Sequence, residues 1–203
     1  MLFRSPFKAP STTELDHDFL WRINACLPER GRIGIFNRSH YEEVLIPRVH
    51  PEVLERQNLP KEVLGKQLWQ HRLDDIRAFE HHLARNGTLI LKFFLHVSKA
   101  EQKQRFLERI EEPAKNWKFS MRDVAERKLW DKYMTAYEDM IRHTSRPEAP
   151  WHVVPADNKW FTRLVVAAEV VQALDRLGLQ YPKVTGAARR ELEKARRILR
   201  KER

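Results

Sequence analysis

Cysteine, glycine and long apolar runs are scarce in this sequence of 203 residues. The single cysteine, Cys26, excludes an internal disulfide, and no Cys/His spacing of the zinc-site type occurs. No segment approaches the ~18 uninterrupted apolar residues of a membrane span, and the first residues carry no apolar core of signal-peptide length. We therefore expect a soluble protein of the reducing cytoplasm that has no membrane partner.

The six glycines do not form a phosphate-binding loop, since the pattern Gly-x-x-x-x-Gly-Lys-Ser/Thr is missing from the printed chain. Basic charge is abundant, with a formal net charge of +10, but it is unevenly distributed. Residues 183–203 contain nine Lys/Arg and three Glu, while the other 182 residues carry 29 basic and 25 acidic side chains. The body is therefore not a uniformly cationic surface of the nucleic-acid-binding kind.

A short apolar run, Ile33 to Phe36, stops abruptly at Asn37, Arg38 and Ser39. This pattern is typical of a buried parallel strand that ends in a polar loop. Ligands of open α/β sheets bind beyond the carboxyl ends of strands, and the guanidinium of Arg38 has the fork of donors that fits phosphate oxygens. A solvated turn after a strand is the alternative interpretation.

Hydrophobic residues make up 42% of the chain, enough for the core of one α/β domain. A strand end at Phe7-Lys8 leads into a helix that a Ser11/Glu14 capping box opens and that reaches about Leu27. The other predicted elements are a helix capped by Asn58 with Pro60 in its first turn and ending before Gly87, strands Thr88 to Val97 and Trp151 to Pro155, and a helix from about Trp160 to Leu177.

Between the last two strands lies a helical excursion of unusual length, residues 98–143. Ser98 with Glu101 predicts one capping box, and Ser120 with Asp123 predicts another that opens a helix to about His143. Excursions of this size tend to be functional, for example as a lid. Asp157 follows the strand Trp151 to Pro155, and two interpretations of it stay open. Either it contacts nucleotide or metal, or it caps the following helix.

Five motifs in order resemble the family-2 polyphosphate kinases. They are Phe7-Lys8-Ala9-Pro10-Ser11, His17-Asp18-Phe19-Leu20-Trp21-Arg22, Gly34-Ile35-Phe36-Asn37-Arg38-Ser39-His40-Tyr41-Glu42, Trp117-Lys118-Phe119 and Pro155-Ala156-Asp157. The resemblance implies a P-loop kinase-like α/β fold, a three-layer sandwich with a parallel sheet and a helical lid. It implies a catalytic domain at 1–182 with its lid at about 98–143, followed by a basic C-terminal helix at 183–203.

The implied activity is magnesium-dependent phosphoryl transfer between inorganic polyphosphate and a nucleoside mono- or diphosphate. By the same resemblance, Arg38 contacts phosphates at the transfer site, and Asn37 stands where many members have Asp. Lys8 faces the phosphate chain, and Glu42 helps to position the nucleotide. The resemblance leaves the metal ligands unknown.

The resemblance also implies cationic lid residues. Arg109 is similar to the lid arginine that neutralises the transferring phosphoryl group, and Lys118 and Arg127 are weaker candidates. Members of the family pair or tetramerise, so a homo-oligomer is expected.

The family carries its phosphate loop on a strand that precedes Phe7-Lys8-Ala9-Pro10, and we therefore expect this chain to be a truncated kinase. Loss of that central strand predicts unpaired neighbouring strands and exposed apolar surface. Two alternatives stay open. One is a catalytically inactive remnant that binds polyphosphate or an intact subunit. The other is a nucleic-acid-binding protein, which ranks last because no motif with stacking aromatics supports it.

Overall fold

The computed structural model describes residues 2–202. Its strands are β1 Leu2–Pro6, β2 Ile33–Asn37, β3 Lys92–His96 and β4 Trp151–Pro155. Its α-helices are α1 Thr12–Leu15, α2 Trp21–Asn24, α3 Ile46–Val49, α4 Leu68–Arg85, α5 Lys99–Glu111, α6 Met121–Glu126, α7 Trp130–Thr144, α8 Lys159–Arg176 and α9 Gly186–Leu199. Short 3-10 helices span His40–Val44, Pro51–Gln57, Lys61–Val63, Pro113–Lys118 and Arg127–Leu129.

The two pairs of described strands are both parallel, which confirms the predicted α/β class. Within residues 2–202 the strands form two separate two-stranded sheets, β1 with β2 and β3 with β4. The prediction of a buried β2 is wrong, because Ile33 and Ile35 are 46% and 45% exposed. A strand that is paired along one edge and left uncovered on one face exposes its alternate side chains.

The N-terminal helix predicted from Ser11 to Leu27 is also wrong as a continuous element. The capping box is confirmed, since the hydroxyl of Ser11 accepts from the backbone of Glu14 and the Glu14 carboxylate accepts from the backbone of Ser11. The chain then turns, and the Asp18 carboxylate accepts from the Leu20 N–H at 2.9 Å. This turn replaces helical hydrogen bonds, so α1 and α2 are separate short helices.

The helix predicted after Pro60 begins later than expected, at Leu68. Asn58 does not cap it, because its φ of +49° places it in the left-handed region at the end of the preceding 3-10 helix. Pro60 leads into the short 3-10 helix instead. The end of α4 agrees with the sequence, since Gly87 takes a left-handed φ of +86° just after it.

The excursion between β3 and β4 has two different halves. Helix α7 belongs to the core, where Ala136 and Met140 pack with residues of the 3-10 helix His40–Val44, of its C-cap and of α4, namely Tyr41, Val44, Leu45, Leu73 and Ile76. In contrast, α5, α6 and the 3-10 helices around them contain no buried residue. The part of the excursion that is free of the core is therefore 99–129, because burial fixes α7 in place.

One buried lysine connects three elements of this core. The ammonium of Lys92 on β3 donates to the Tyr41 hydroxyl at 2.9 Å, to the Glu80 carboxylate at 2.5 Å and to the Thr144 carbonyl at 2.9 Å. Tyr41 in turn donates to Glu80 at 2.7 Å. Burial lowers the pKa of Lys92, and the carboxylate of Glu80 opposes that shift. Lys92 and its partners Tyr41, Glu80 and Thr144 are each 7% exposed or less.

The chain divides into two compact units, Met1–Val166 and Ala167–Arg203, with the boundary inside α8. Helix α8 is confirmed close to its predicted bounds, and Gly178 follows it with a left-handed φ of +57°. The predicted tail helix corresponds to α9, which Thr185 caps through its hydroxyl. Among the described helices none has the length and hydropathy that crossing a membrane requires.

Substituting Lys92→Met should destabilise the protein by about 3–5 kcal/mol, because the Glu80 carboxylate would stay buried without its cation. Urea unfolding followed by circular dichroism measures the change. The double variant Lys92→Met/Glu80→Gln should recover part of the loss, and Lys66→Met, at an exposed position, should have almost no effect. A Lys92→Met protein as stable as the wild type would contradict this description of the core.

Candidate active site

The parallel register of β1 and β2 brings two motifs of the sequence to one edge. Pro6 lies opposite Asn37, and the Phe7 N–H donates to the Asn37 carbonyl at 3.1 Å. Lys8 and Arg38 therefore leave neighbouring strands at the same carboxyl edge. Both are exposed, so their charges are accessible to an anion. We call this pair of strand ends, with residues 8 and 37–42, the β1/β2 edge.

Arg38 has an unusual backbone conformation for a residue that is not glycine, with φ at +64°. The next residue, Ser39, is extended, and its hydroxyl accepts from the Tyr41 N–H to start the 3-10 helix His40–Val44. Left-handed conformations in such residues cost free energy and persist where the surroundings fix them. Here the buried side chain of Tyr41, three residues after Arg38, fixes the backbone that follows Arg38.

The Arg38 guanidinium lies 3.9 Å from the carboxylate of Glu42. Burial raises the pKa of Glu42, and the charge of Arg38 lowers it in part. The same carboxylate adds to the effect of burial at Tyr137 on α7, whose pKa rises to about 12. Glu42 is thus a half-buried acid between an exposed cation and a neutral phenol, in a position to orient Arg38.

A buried ionic cluster behind the edge holds it in place. The Arg22 guanidinium donates to the Lys8 carbonyl at 3.0 Å and to the Glu43 carboxylate at 3.2 Å. Gln57 donates to the other oxygen of Glu43 at 2.7 Å, and Arg72 donates to the Glu43 carbonyl at 2.8 Å. Arg22, Glu43 and Arg72 are each 7% exposed or less, so their contacts are not weakened by solvent.

The lid candidates have local partners in this conformation. Arg109 lies 3.6 Å from Asp123, and Lys118 sits 4.9 Å from the ring of Trp117. Arg127 donates to the Lys99 carbonyl at 2.7 Å. Within residues 2–202 no hydrogen bond or ion pair joins any of the three cations to the β1/β2 edge, so the structure does not bring them together with Arg38.

Asp157 caps α5 rather than α8. Its carboxylate accepts from the Ser98 N–H at 2.7 Å, and this hydrogen bond holds the pKa of Asp157 below its usual range. The predicted Ser98/Glu101 capping box is half formed, because the Ser98 hydroxyl accepts from the Glu101 N–H whereas the Glu101 carboxylate pairs with Arg105. The Ser98 N–H, which Glu101 would accept in a complete capping box, is accepted instead by Asp157, which follows β4.

His50 connects the chain after α3 to the exposed part of the excursion. Its ring lies 2.9 Å from the Glu126 carboxylate and 3.1 Å from that of Glu52. Tyr133 donates to the same oxygen of Glu126 at 3.0 Å. The hydrogen bond to Glu126 raises the pKa of His50 above its ordinary value of 6.5, against the effect of burial.

No preformed metal cage is present in the part of the chain that the structure describes, where no group of three His, Cys, Asp or Glu side chains is arranged to hold a metal ion. At the β1/β2 edge the oxygen ligands are the amide of Asn37 and the carboxylate of Glu42, which already pairs with Arg38. These residues do not fit a magnesium ion held by protein ligands alone.

The model of the family described as polyphosphate kinase 2 matches residues 4–181. The chain belongs to this family. The resemblance read from the five motifs is therefore confirmed, and both motif-bearing loops of the β1/β2 edge lie inside the matched range.

Individual relatives support this assignment. The chain is 54% identical to the ADP-polyphosphate phosphotransferase of Rhodopseudomonas palustris over 95% of its own length and 67% of the relative. It is 47% identical to the AMP/ADP-polyphosphate phosphotransferase of Meiothermus ruber, over 87% of its length and 62% of the relative. The crystal structure of polyphosphate kinase 2 from Arthrobacter aurescens superposes with a TM-score of 0.85 at 42% identity, over 96% of this chain and 65% of that one. The chain thus spans about two thirds of the length of these three relatives.

Three structural residues of the site were not found by sequence reasoning. The sequence motifs assign no role to Arg22, Glu43 or Lys92. For Lys92 a signal exists, because a single lysine within the apolar run Thr88 to Val97 has to find a carboxylate when the strand is buried. No comparable signal exists for Glu43, whose partners lie 14 to 29 residues away.

The raised pKa of His50 predicts a pH-dependent attachment of α6. The protonated imidazole stabilises the contact fully below pH 6.5, its ordinary pKa, and that stabilisation is lost as pH rises through the higher pKa of the folded state. An NMR titration of the His50 ring should give a pKa above 6.5, and Glu126→Gln should move it down. A His50 pKa that Glu126→Gln leaves unchanged would contradict this contact.

Proposed function

We propose that this chain transfers a phosphoryl group between inorganic polyphosphate and a nucleoside mono- or diphosphate, converting AMP or ADP to ADP or ATP, or GDP to GTP. The observation that supports it best is the β1/β2 edge, where Lys8 and Arg38 leave adjacent parallel strands side by side. The names of the Rhodopseudomonas and Meiothermus relatives supply the substrate class.

The proposed roles follow from the chemistry of phosphoryl transfer. The reaction needs little covalent help and is accelerated by positioning and by cations around the transferring group. Arg38 binds the equatorial oxygens through its fork of donors, while Lys8 provides a point charge for the polyphosphate chain. Glu42 orients Arg38 and the nucleotide, and the neutral amide of Asn37 holds a water molecule.

Arg109 is the best of the proposed lid residues. Its ion pair with Asp123 is long, at 3.6 Å, and both side chains are about one third exposed. Such pairs contribute little free energy, so a polyanion can take over the guanidinium. Lys118 is exposed and available in the same way. Arg127 is the weakest candidate, because its guanidinium is engaged by the Lys99 carbonyl and by Gln102.

Magnesium is proposed as a companion of the substrate. Mg²⁺ keeps several waters and is commonly held by one or two carboxylates together with substrate phosphates. Asn37 and Glu42 are the described residues that would contact such an ion, and the ion would neutralise phosphate charge.

We further propose that residues 1–182 form the catalytic domain with its lid, arranged as a three-layer sandwich around the sheet. The same proposal includes a homo-oligomer and a cytoplasmic location.

A second candidate is a binding protein without catalysis, which takes up polyphosphate or an intact subunit. The observation that favours it is the separation of the four described strands into two pairs, with Ile33 and Ile35 exposed on β2.

The test is ATP formation by the purified chain supplied with polyphosphate, Mg²⁺ and AMP or ADP. We expect activity that falls at least about 100-fold in Arg38→Ala, since a cation that stabilises the transition state is lost. Arg85→Ala, at another exposed arginine, is the matched control and should keep full activity. Folded wild-type protein that forms no ATP but binds polyphosphate would favour the second candidate.

A further inference from the structure

Helix α9 carries a compact stripe of positive charge. Arg190, Lys194 and Arg197 on the helix, with Lys201 just after it, recur at intervals of three and four residues. This spacing places side chains on one face of a helix, over about 16 Å of its length. The four residues line one shallow groove and all are exposed. We call them the α9 stripe.

The stripe lies outside the range that the family model matches, which ends at residue 181. It is also the part of the chain where positive charge is concentrated. Glu193 is the one acidic residue along the groove, and it lies 3.9 Å from Arg196 rather than from a member of the stripe. The charges of the stripe are therefore available to a ligand.

The composition of the tail discriminates between classes of polyanion. Residues 183–203 contain no Phe, Tyr or Trp, so this segment itself provides no aromatic platform on which bases could stack. The apolar face, built around Ala188, Leu192, Ala195 and Leu199, offers two leucines but no Trp or Phe for insertion into lipid. A linear chain of phosphates needs neither feature and requires only regularly spaced cations.

We propose that the α9 stripe is an accessory binding site for inorganic polyphosphate, separate from the β1/β2 edge. The proposal rests on polyphosphate being the substrate of the proposed function. A long polyphosphate held by α9 stays tethered to the same protein that uses its end, which raises its effective concentration at the transfer site. A short polyphosphate cannot benefit from such a tether.

The experiment compares two quadruple variants of the full chain. The first is Arg190→Gln/Lys194→Gln/Arg197→Gln/Lys201→Gln. The matched control removes the same charge from exposed positions elsewhere, by replacing Arg56, Lys61, Lys66 and Arg85 with Gln. Glutamine keeps a good helix propensity, and circular dichroism checks that α9 still forms.

Binding of labelled long-chain polyphosphate is measured by fluorescence anisotropy across a salt series. We expect the stripe variant to bind at least about tenfold more weakly near 0.1 M salt, with the slope of log K against log salt smaller by about 3, because four phosphate contacts are lost. The control variant should bind like the wild type. In ATP formation, the stripe variant should show a raised KM for long-chain polyphosphate and an unchanged KM for tripolyphosphate.

Equal losses in both variants would mean that only net charge matters, and no loss in the stripe variant would mean that α9 does not bind polyphosphate. Either result overturns the proposal. A stripe-dependent loss of binding to single-stranded DNA or to phosphatidylserine vesicles, without one for polyphosphate, overturns it as well. The binding assay is independent of catalysis, so a protein that forms no ATP would contradict the proposed function while the test of α9 still stands.

Discussion

The ammonium group of Lys92 is the contact on which the geometry of the site depends. It bonds at once to the 3-10 helix after β2, to α4 and to α7, through Tyr41, Glu80 and Thr144. Tyr41 lies three residues after Arg38, so the buried network fixes the loop that holds Arg38 in its left-handed conformation. A buried charge of this kind is tolerated because every donor finds an acceptor.

The cations at the β1/β2 edge and in the buried core behind it form two groups with different tasks. Arg22, Arg72 and Lys92 are buried and paired, and they position backbone and carboxylates. Lys8 and Arg38 are exposed at the β1/β2 edge. The two groups are connected, since the Arg22 guanidinium binds the Lys8 carbonyl. Preorganised cations of this type accelerate phosphoryl transfer because they do not have to be reoriented when charge develops.

The sequence predicts the local elements well and the long-range arrangement poorly. The Ser11 capping box, the strand Ile33–Asn37 and the tail helix follow from patterns within a few residues, and all are found. The break between α1 and α2 depends on the Asp18 side chain, which competes with helical hydrogen bonds. The spacing of apolar residues contains no information about this competition. Likewise, the exposure of β2 depends on what covers it, and the Glu43 cluster joins residues that no local pattern relates.

We propose that Lys8 and Arg38 bind one phosphate chain together. Chemical footprinting tests this directly, with acylation of lysines and phenylglyoxal modification of arginines read by mass spectrometry in the presence and absence of tripolyphosphate and Mg²⁺. We expect Lys8 and Arg38 to become protected over the same range of tripolyphosphate concentration, while the exposed Lys66 and Arg85 react unchanged. Protection of neither residue, or of one without the other, would contradict it.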